Sequence, residues 1–188
     1  MAQRVCPYWI GYVLINPLRR LIHNPDKILA PFVSRGMTVL DIGSAMGYFT
    51  LPMARMVGPD GKVIAVDVQE KMLAALRKRA RAAELSDRIV TRLSGPTSLG
   101  LDDWEQRVDF ALAFAVVHEV PEVQGLFAEI WRVLKPEAYC LMAEPKGHVP
   151  LRDFEASLDA AGQNGLKVID HPKIFRSHTA LLKKGGKD

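Results

Sequence analysis

The chain has 188 residues, of which 48% are hydrophobic, so it can bury the core of a single domain. Its formal net charge of +4 is mild and gives no argument for nucleic acid as a partner. The sequence has no ~20-residue apolar run, and its first residues lack the basic-then-apolar layout expected of a secretory signal. Its two cysteines, Cys6 and Cys140, form no disulfide or zinc pattern. We therefore expect a cytoplasmic protein with no metal and no stable membrane insertion.

Hydrophobic periodicity predicts alternating strands and helices from residue 38 onward. The expected strands cover residues 38–42, 62–67, 89–93, 109–117, 138–143, 166–169 and 179–182. The expected helices cover residues 46–56, 70–83, 122–134 and 151–161. The unbroken apolar run within 109–117 is typical of a strand buried on both faces of a parallel sheet. This order predicts a doubly wound α/β sheet, mostly parallel, with an antiparallel hairpin at its end and helices on both faces.

The turn after the first strand carries the strongest functional signal. Residues 41–47 read Asp-Ile-Gly-Ser-Ala-Met-Gly, so a carboxylate is followed by a turn of small residues that opens a helix. Glycine lets such a turn approach a ligand closely, and the N–H groups of a helix start face what is bound. A second acid, Asp67, ends the next strand about 20 residues after the turn, where nucleotide-binding α/β folds place a ribose-binding carboxylate. The sequence therefore predicts a nucleoside site.

These residues, together with Trp-Arg-Val-Leu-Lys-Pro at 131–136, resemble the class I S-adenosylmethionine-dependent methyltransferases. The resemblance covers residues 28–184. Through Ala-Val-Val-His-Glu-Val at 115–120 it is greatest to the small-molecule, type 11-like branch that contains the quinone C-methyltransferases. It implies a Rossmann-like core of seven strands at residues 28–188 and a helical lid or cap at residues 1–27. It also implies methyl transfer from S-adenosylmethionine to a small, partly apolar molecule, with release of S-adenosylhomocysteine, by a monomer or homodimer.

The resemblance further implies the residues of the cofactor site, which are Asp41, Gly43, Ser44, Ala45, Gly47, Tyr48, Asp67, Val68, Met72, Ser94, Gly95, Phe114 and Ala115. Asp41 and the turn would hold the methionine moiety, and Asp67 would accept hydrogen bonds from the ribose hydroxyls. Val68 and Met72 would flank the adenine, whose far edge would meet the backbone at residues 94–95. Phe114 and Ala115 would lie beneath the transferred methyl. From the residues alone, Asp41 could instead cap the helix and Asp67 could be a turn residue.

The chain departs from the family at two places. Relatives usually have glycine where this chain has Ala45. The methyl side chain of Ala45 is expected to be accepted if the local φ is negative, and otherwise to crowd the ligand. Relatives also commonly place an adenine-binding acid after the third strand, whereas residues 93–96 read Leu-Ser-Gly-Pro, and Pro96 supplies no N–H. Adenine recognition is therefore expected to rely on backbone groups and packing.

His118 is the candidate general base, because it follows the fourth strand near the expected pocket and imidazole titrates near neutral pH. The alternative is a hydrogen-bonded residue at the start of a helix. Glu119, the other candidate catalytic residue, would orient His118 or else cap that helix. His148, after the fifth strand, is a further candidate for the substrate site, against an ordinary loop histidine.

The aromatic segment before the fold supplies the other candidates for the substrate site. Tyr8, Trp9 and Tyr12 would contact an apolar acceptor if this segment folds over the pocket, as it often does in small methyltransferases. A packed core helix, a dimer contact and a membrane-surface contact are alternative interpretations of the same segment.

Other functions fit the sequence less well. Small residues fall at positions 43, 45 and 47 rather than in the dinucleotide spacing, which disfavours a nicotinamide dehydrogenase. No Asn/Asp-Pro-Pro-aromatic element follows the fourth strand, which disfavours methylation of nucleic-acid bases, and two cysteines are too few for arsenite methylation as its family performs it. The remaining alternative is a non-catalytic protein of the same fold that binds S-adenosylmethionine or another nucleoside.

Overall fold

A single sheet forms the centre of the computed structural model, which describes residues 7, 9, 11, 15–95 and 97–185. Its strands in the described residues are β1 (Thr38–Ile42), β2 (Lys62–Asp67), β3 (Ile89–Leu93), β4 (Val108–Phe114), β5 (Leu134–Pro145), β6 (Leu166–Asp170) and β7 (Ser177–Lys184). They lie in the order β3-β2-β1-β4-β5-β7-β6. Strands β1 to β5 pair in parallel, and β7 runs antiparallel between β5 and β6. The predicted fold class, a Rossmann-like doubly wound sheet with an antiparallel end, is confirmed.

Helices cover both faces of this sheet. In the described part of the chain they are α1 (Pro25–Leu29), α2 (Thr50–Met56), α3 (Glu70–Ala82), α4 (Val123–Val133) and α5 (Leu151–Gln163). One core, which includes Leu40 and Phe127, lies on the α4 and α5 face, and the other, which includes Val39 and Leu73, lies on the face of α1 to α3. Val39 and Leu40 separate in this way because successive strand residues point to opposite faces. Among the described residues, no helix is long and apolar enough to cross a membrane.

The topology of the sheet fixes where a ligand can bind. The connections from β1 and β4 leave toward opposite faces of the sheet, and this switch point opens a crevice at the carboxyl ends of the strands. Ile42 at the end of β1 lies beside Ala113 near the end of β4. The glycine-containing turn after β1 and the histidine-containing segment after β4 therefore meet at one edge of the sheet.

Three element boundaries differ from the prediction by three or more residues. The first predicted helix begins at Thr50 rather than at residue 46, because residues 43, 45 and 47 have φ values of 70°, 46° and 84°, which a right-handed helix excludes. The fourth strand ends at Phe114 rather than at residue 117, because Ala115 has a φ of 57° and turns the chain. Strand β5 begins at Leu134 rather than at residue 138, with a register shift against β4.

The described residues before β1 form short turns packed near the crevice. Pro17–Leu21 is a 3-10 turn capped by the side chain of Asn16. Gly11 lies against the side chains of Met46 and Met72. Most of residues 1–14 lie outside the described residues, so the helical lid or cap predicted for residues 1–27 stays a prediction.

Candidate active site

The turn after β1 needs glycine at two positions. Gly43 has a φ of 70°, and a Cβ atom there would lie 2.5 Å from Cγ2 of Val116. Gly47 has a φ of 84°, and a Cβ atom there would overlap the Leu76 side chain. Ala45 has a φ of 46°, so the negative φ under which a methyl group is accepted without strain is not met. The turn thus packs closely against both the segment after β4 and α3, and it stores some strain at Ala45.

Asp67, at the end of β2, is fixed by the backbone of this turn. Its Oδ2 accepts a hydrogen bond from the N–H of Ala45 at 2.9 Å, and its Oδ1 accepts one from the N–H of Gln69 at 2.8 Å. Burial raises the pKa of Asp67, while these backbone hydrogen bonds act in the opposite direction. The carboxylate lines the crevice, and each oxygen retains acceptor capacity toward a ligand hydroxyl.

Asp41, at the end of β1, is buried beneath the same turn. Its Oδ2 accepts a hydrogen bond from the hydroxyl of Thr50, the first residue of α2, at 2.5 Å. Burial raises the pKa of Asp41 to about 7, although the hydrogen bond from Thr50 lowers it. This acid lines the crevice and changes its charge near neutral pH.

Ser44, in the same turn, carries a hydroxyl that has no hydrogen-bond partner among the described residues, although the residue is buried. Buried polar groups are normally paired, so an unpaired hydroxyl on a crevice wall is suited to a polar ligand. With the two buried carboxylates and the close glycine turn, it makes a cradle that fits an amino-acid nucleoside such as S-adenosylmethionine.

Arg19 places a guanidinium beside this cradle, and sequence reasoning did not assign it to the site. Its guanidinium carbon lies 4.3 Å from the ring centroid of Tyr48 and 5.8 Å from that of Phe114. Burial lowers the pKa of Arg19, while the nearby Tyr48 and Asp41 act to raise it. The Tyr48 hydroxyl donates to the carbonyl of His23 at 2.7 Å, which ties the segment that carries Arg19 to the turn.

The crevice that these groups line is a cleft of about 720 Å³. Of the predicted cofactor residues, its walls include Asp41, Gly43, Ser44, Ala45, Tyr48, Asp67, Val68, Met72, Ser94, Gly95, Phe114 and Ala115. Gly47 lies behind the wall, against α3. At the end formed by residues 94, 95 and 97–99, Glu129 of α4 accepts a hydrogen bond from the N–H of Leu99 at 2.9 Å. An acid therefore stands at the predicted adenine end, supplied by a helix rather than by the corner after β3.

His118 lies in a 3-10 turn after β4, and its partner is an acid that the sequence prediction missed. Oε2 of Glu144, near the end of β5, lies 2.5 Å from Nδ1 of His118. Oε1 of Glu144 accepts hydrogen bonds from the N–H groups of Val116 at 3.1 Å and Val117 at 2.7 Å. The hydrogen bond to Glu144 raises the pKa of His118, against burial, which lowers it.

The other candidates for catalysis and substrate binding, Glu119, His148 and Trp9, lie at different distances from the cleft and from His118. Oε1 of Glu119 lies 4.0 Å from Nε2 of His118, whereas Glu144 reaches the ring at hydrogen-bond distance, so the orienting role predicted for Glu119 stays a prediction. His148 joins the cleft wall, with its ring centroid 4.9 Å from that of His118. Trp9 is 66% exposed, and the cleft wall does not include it.

Tyr8 and Tyr12 lie outside the described residues. Within the described ranges, no group of three or more histidine, cysteine, aspartate or glutamate side chains is arranged to hold a metal ion.

The fold and this cleft define a class I S-adenosylmethionine-dependent methyltransferase, and a solved structure of that kind is closely similar. The S-adenosylmethionine-dependent methyltransferase from Aquifex aeolicus superposes with a TM-score of 0.86 and is 26% identical, covering 96% of this chain and 100% of its own. The family model described as a methyltransferase domain matches residues 33–186. The chain belongs to this methyltransferase family, and S-adenosylmethionine is the cofactor of its class.

Curated relatives match over a shorter part of their length. An arsenite methyltransferase of Halobacterium salinarum is 32% identical over 130 residues, which are 69% of this chain and 32% of the relative. A demethylmenaquinone methyltransferase of Symbiobacterium thermophilum is 36% identical over 101 residues, 54% of this chain and 39% of the relative. The chain thus spans less than half the length of these two relatives.

Proposed function

We propose that the protein transfers a methyl group from S-adenosylmethionine to a small, partly apolar molecule and releases S-adenosylhomocysteine. The observation that carries the proposal is Asp67, whose carboxylate is held by the N–H groups of Ala45 and Gln69 and lines the cleft. The family match over residues 33–186 supports it. We also propose that the protein works in the cytoplasm, as a monomer or homodimer, and not on nucleic acid.

In the proposed binding mode, Asp67 accepts hydrogen bonds from the two ribose hydroxyls. Val68, whose side chain is 51% exposed, and Met72 flank the adenine. At the opposite end, ionised Asp41 faces the ammonium group of the methionine moiety and Arg19 its carboxylate. The Ser44 hydroxyl, which lacks a partner among the described residues, supplies a further hydrogen bond there.

Bound S-adenosylmethionine supplies a methyl group that is already electrophilic, so the protein has to align the acceptor and exclude water. His118 can take a proton from the acceptor, since Glu144 holds its ring in place. Phe114 and Ala115, at the carboxyl end of β4, form the floor of the cleft between the cradle and this histidine.

Arsenite is not the acceptor that this site favours, although one relative is an arsenite methyltransferase. Cys140 is the one cysteine within the described ranges, and it is fully buried in β5. Burial raises the pKa of its thiol to about 12, so it is no ligand for arsenic at the cleft. The alternative is a non-catalytic protein of this fold that binds S-adenosylmethionine or another nucleoside.

Calorimetric titration with S-adenosylmethionine, S-adenosylhomocysteine and NAD in parallel tests the proposal. We expect micromolar binding of the two sulfur nucleosides and no heat from NAD. Asp67→Ala should weaken cofactor binding by about 1–3 kcal/mol, because charge-assisted hydrogen bonds to the ribose are lost. Asp60→Ala, which removes an exposed acid outside the cleft, is the matched control and should leave the affinity unchanged. Equal affinities of wild type and Asp67→Ala would contradict the assignment of Asp67 to the ribose. Cofactor binding without turnover of any acceptor would favour the non-catalytic alternative.

A further inference from the structure

Large apolar side chains are exposed beside the cleft, and we name this surface the apolar rim. Its members are Leu18, Leu21 and Ile22 of the segment before β1, Leu151 at the start of α5 and Phe175 of the loop between β6 and β7. Each of them is between 51% and 85% exposed. Single exposed apolar side chains are common on proteins, whereas a cluster of them marks a contact surface.

Two contacts make the apolar rim one surface next to the cleft. Nε2 of His23 donates a hydrogen bond to the carbonyl of Phe175 at 2.9 Å, which ties the segment before β1 to the loop between β6 and β7. Leu151 and Phe175 line the same groove of about 750 Å³. Arg19, which belongs to the segment before β1, lines the cleft itself. The apolar rim therefore borders the cleft.

The segment before β1 exposes its apolar side chains because its inner side is held by other contacts. In its 3-10 turn, residues three apart share a side, so Leu18 and Leu21 lie together. The guanidinium of Arg19 lies instead over the ring of Tyr48. The hydroxyl of Tyr48 in turn donates to the carbonyl of His23. These contacts fix the inner side of the segment on the cleft wall and leave the apolar side in solvent.

Cations outnumber acids around the groove of the apolar rim. Lys146 and Lys173 line it, and the N–H of Lys146 donates to the carbonyl of Arg176, an exposed residue of the same loop as Phe175. Among the described residues on the walls of the groove, Glu155 is the only acid. A two-fold contact between copies of the chain would bring these cations close to their own counterparts, because such a contact joins a surface to itself. Charge complementarity therefore favours an anionic partner over a second copy.

We propose that the apolar rim docks on an anionic lipid surface. Its apolar side chains enter the boundary between headgroups and acyl chains, and Lys146 and Lys173 face the lipid phosphates. A bilayer of anionic lipid supplies a negative layer over an apolar layer, and these are the two features that the apolar rim complements. The binding is peripheral and reversible, since a few side chains and cations hold a protein at a membrane only weakly.

Docking goes beyond the proposed methyl transfer and does not depend on it, but its consequence for the enzyme rests on the proposed function. With the apolar rim on lipid, the cleft opens at the layer in which a partly apolar acceptor concentrates. The acceptor then reaches the cleft without crossing bulk water.

Flotation of the full chain with vesicles tests the docking. Vesicles of phosphatidylcholine mixed with phosphatidylglycerol are compared with vesicles of phosphatidylcholine alone, without S-adenosylmethionine, so that the outcome is independent of methyl transfer. We expect the chain to bind the anionic vesicles about tenfold more tightly than the neutral ones, and to bind them less tightly at about 0.5 M salt. No binding to the anionic vesicles, or equal binding to both kinds, would overturn the proposal.

A pair of serine variants tests the apolar side chains. Leu21→Ser removes the most exposed side chain of the apolar rim and should weaken binding to the anionic vesicles about fivefold. The matched control is Val168→Ser, which removes an exposed apolar side chain of β6 where that strand pairs with Leu182, away from the loop between β6 and β7. It should leave the binding unchanged. Equal effects of the two substitutions would remove the apolar rim from the contact.

A pair of charge variants tests the cations. Lys146→Gln combined with Lys173→Gln should weaken binding about tenfold. Lys78→Gln combined with Arg81→Gln, which removes two exposed cations from α3, should leave it unchanged. Equal losses in the two double variants would mean attraction by net charge alone and would overturn the proposal.

Sedimentation velocity tests a second copy of the chain as the occupant of the apolar rim. We expect no dimer that depends on Leu21. A concentration-dependent dimer that Leu21→Ser abolishes, in a chain that does not bind the vesicles, would assign the apolar rim to a second copy and overturn the proposal.

Discussion

The proposed function divides the cleft into a cofactor side, formed by residues 41–48 and Asp67, and an acceptor side, formed by residues 114–118 and Glu144. The two sides hold their carboxylates differently. On the cofactor side, Asp67 bonds the N–H of Gln69 two residues later and that of Ala45 in the preceding turn. Its partners belong to one β1-turn-α2-β2 unit. This side can therefore be recognised from a short motif and one spacing.

On the acceptor side, the partners of Glu144 are residues 116–118, and they are supplied by another strand-helix unit. The parallel pairing of β4 with β5, in which Phe114 lies opposite Ala143, brings Glu144 next to residues 116–118. The arrangement thus depends on tertiary structure. Glu144 is 1% exposed and borders a smaller cavity between α5 and the turn after β4 rather than the cleft, whereas Asp67 is 8% exposed and lines the cleft. The two sides should respond differently when the carboxylate is removed.

The largest expected effect is on stability, at Glu144. Glu144→Ala leaves the N–H groups of Val116 and Val117 buried without an acceptor, and we expect it to lower the free energy of unfolding by about 2–4 kcal/mol. Asp67→Ala should cost only about 1 kcal/mol, because water in the cleft can bond the N–H groups that it frees. Urea denaturation followed by circular dichroism measures both, with the exposed Glu155→Ala as a control that stays within about 0.5 kcal/mol of wild type. Equal losses at Glu144 and Asp67 would erase the distinction between an enclosed and an open site.

The next effect is a pH dependence confined to the cofactor side. Burial holds the pKa of Asp41 at about 7 in the free protein, so a large part of the population is protonated below neutrality. In the proposed binding mode the ligand ammonium lowers this pKa, and affinity should rise about tenfold between about pH 6 and about pH 7.5 as the cost of deprotonation disappears. Calorimetry in buffers of different ionisation enthalpy should show proton release on binding at the acidic end. Asp41→Asn, which cannot titrate, should flatten the profile; a slope that persists in this variant would assign it to another group.

The difference between the two sides also explains what the sequence could predict. Strands β2 and β3 have the predicted bounds, and the predicted turn and Asp67 line or back the cleft, because periodicity and glycine chemistry act over a few residues. Helix α2 begins later than predicted because Ala45, a good helix former, adopts a left-handed φ that its own propensity does not favour, between two left-handed glycines.

The residues that sequence reasoning missed have partners far along the chain. Arg19 and Glu129 meet the cleft only because the segment before β1 and helix α4 fold onto it. Glu144 had a usable signal, since it ends an apolar run in the same way as Asp67 and stands at the same edge of the sheet as His118. Glu119 is the nearer acid in sequence, but its Oε1 lies 4.0 Å from Nε2 of His118, whereas the parallel neighbour β5 brings Glu144 within hydrogen-bond distance of Nδ1.

The smallest expected effect concerns the residue that joins the turn to Asp67. Ala45 has a φ of 46°, where alanine costs roughly 1–2 kcal/mol, whereas glycine adopts such a φ freely but adds entropy to the unfolded chain. These terms oppose each other, so Ala45→Gly should raise the free energy of unfolding by no more than about 1 kcal/mol and change S-adenosylmethionine affinity by less than about threefold.

The reverse change two residues earlier, Gly43→Ala, should lower the free energy of unfolding by about 1–3 kcal/mol. The added Cβ would lie 2.5 Å from Cγ2 of Val116 and push on the segment that donates to Glu144. Because Gly43 touches the acceptor side and Ala45 does not, Gly43→Ala should also slow methyl transfer at saturating cofactor, while Ala45→Gly should not. Thermal unfolding and single-turnover rates on both variants check this pair, and a rate loss in Ala45→Gly would mean that strain in the turn is itself coupled to the acceptor side.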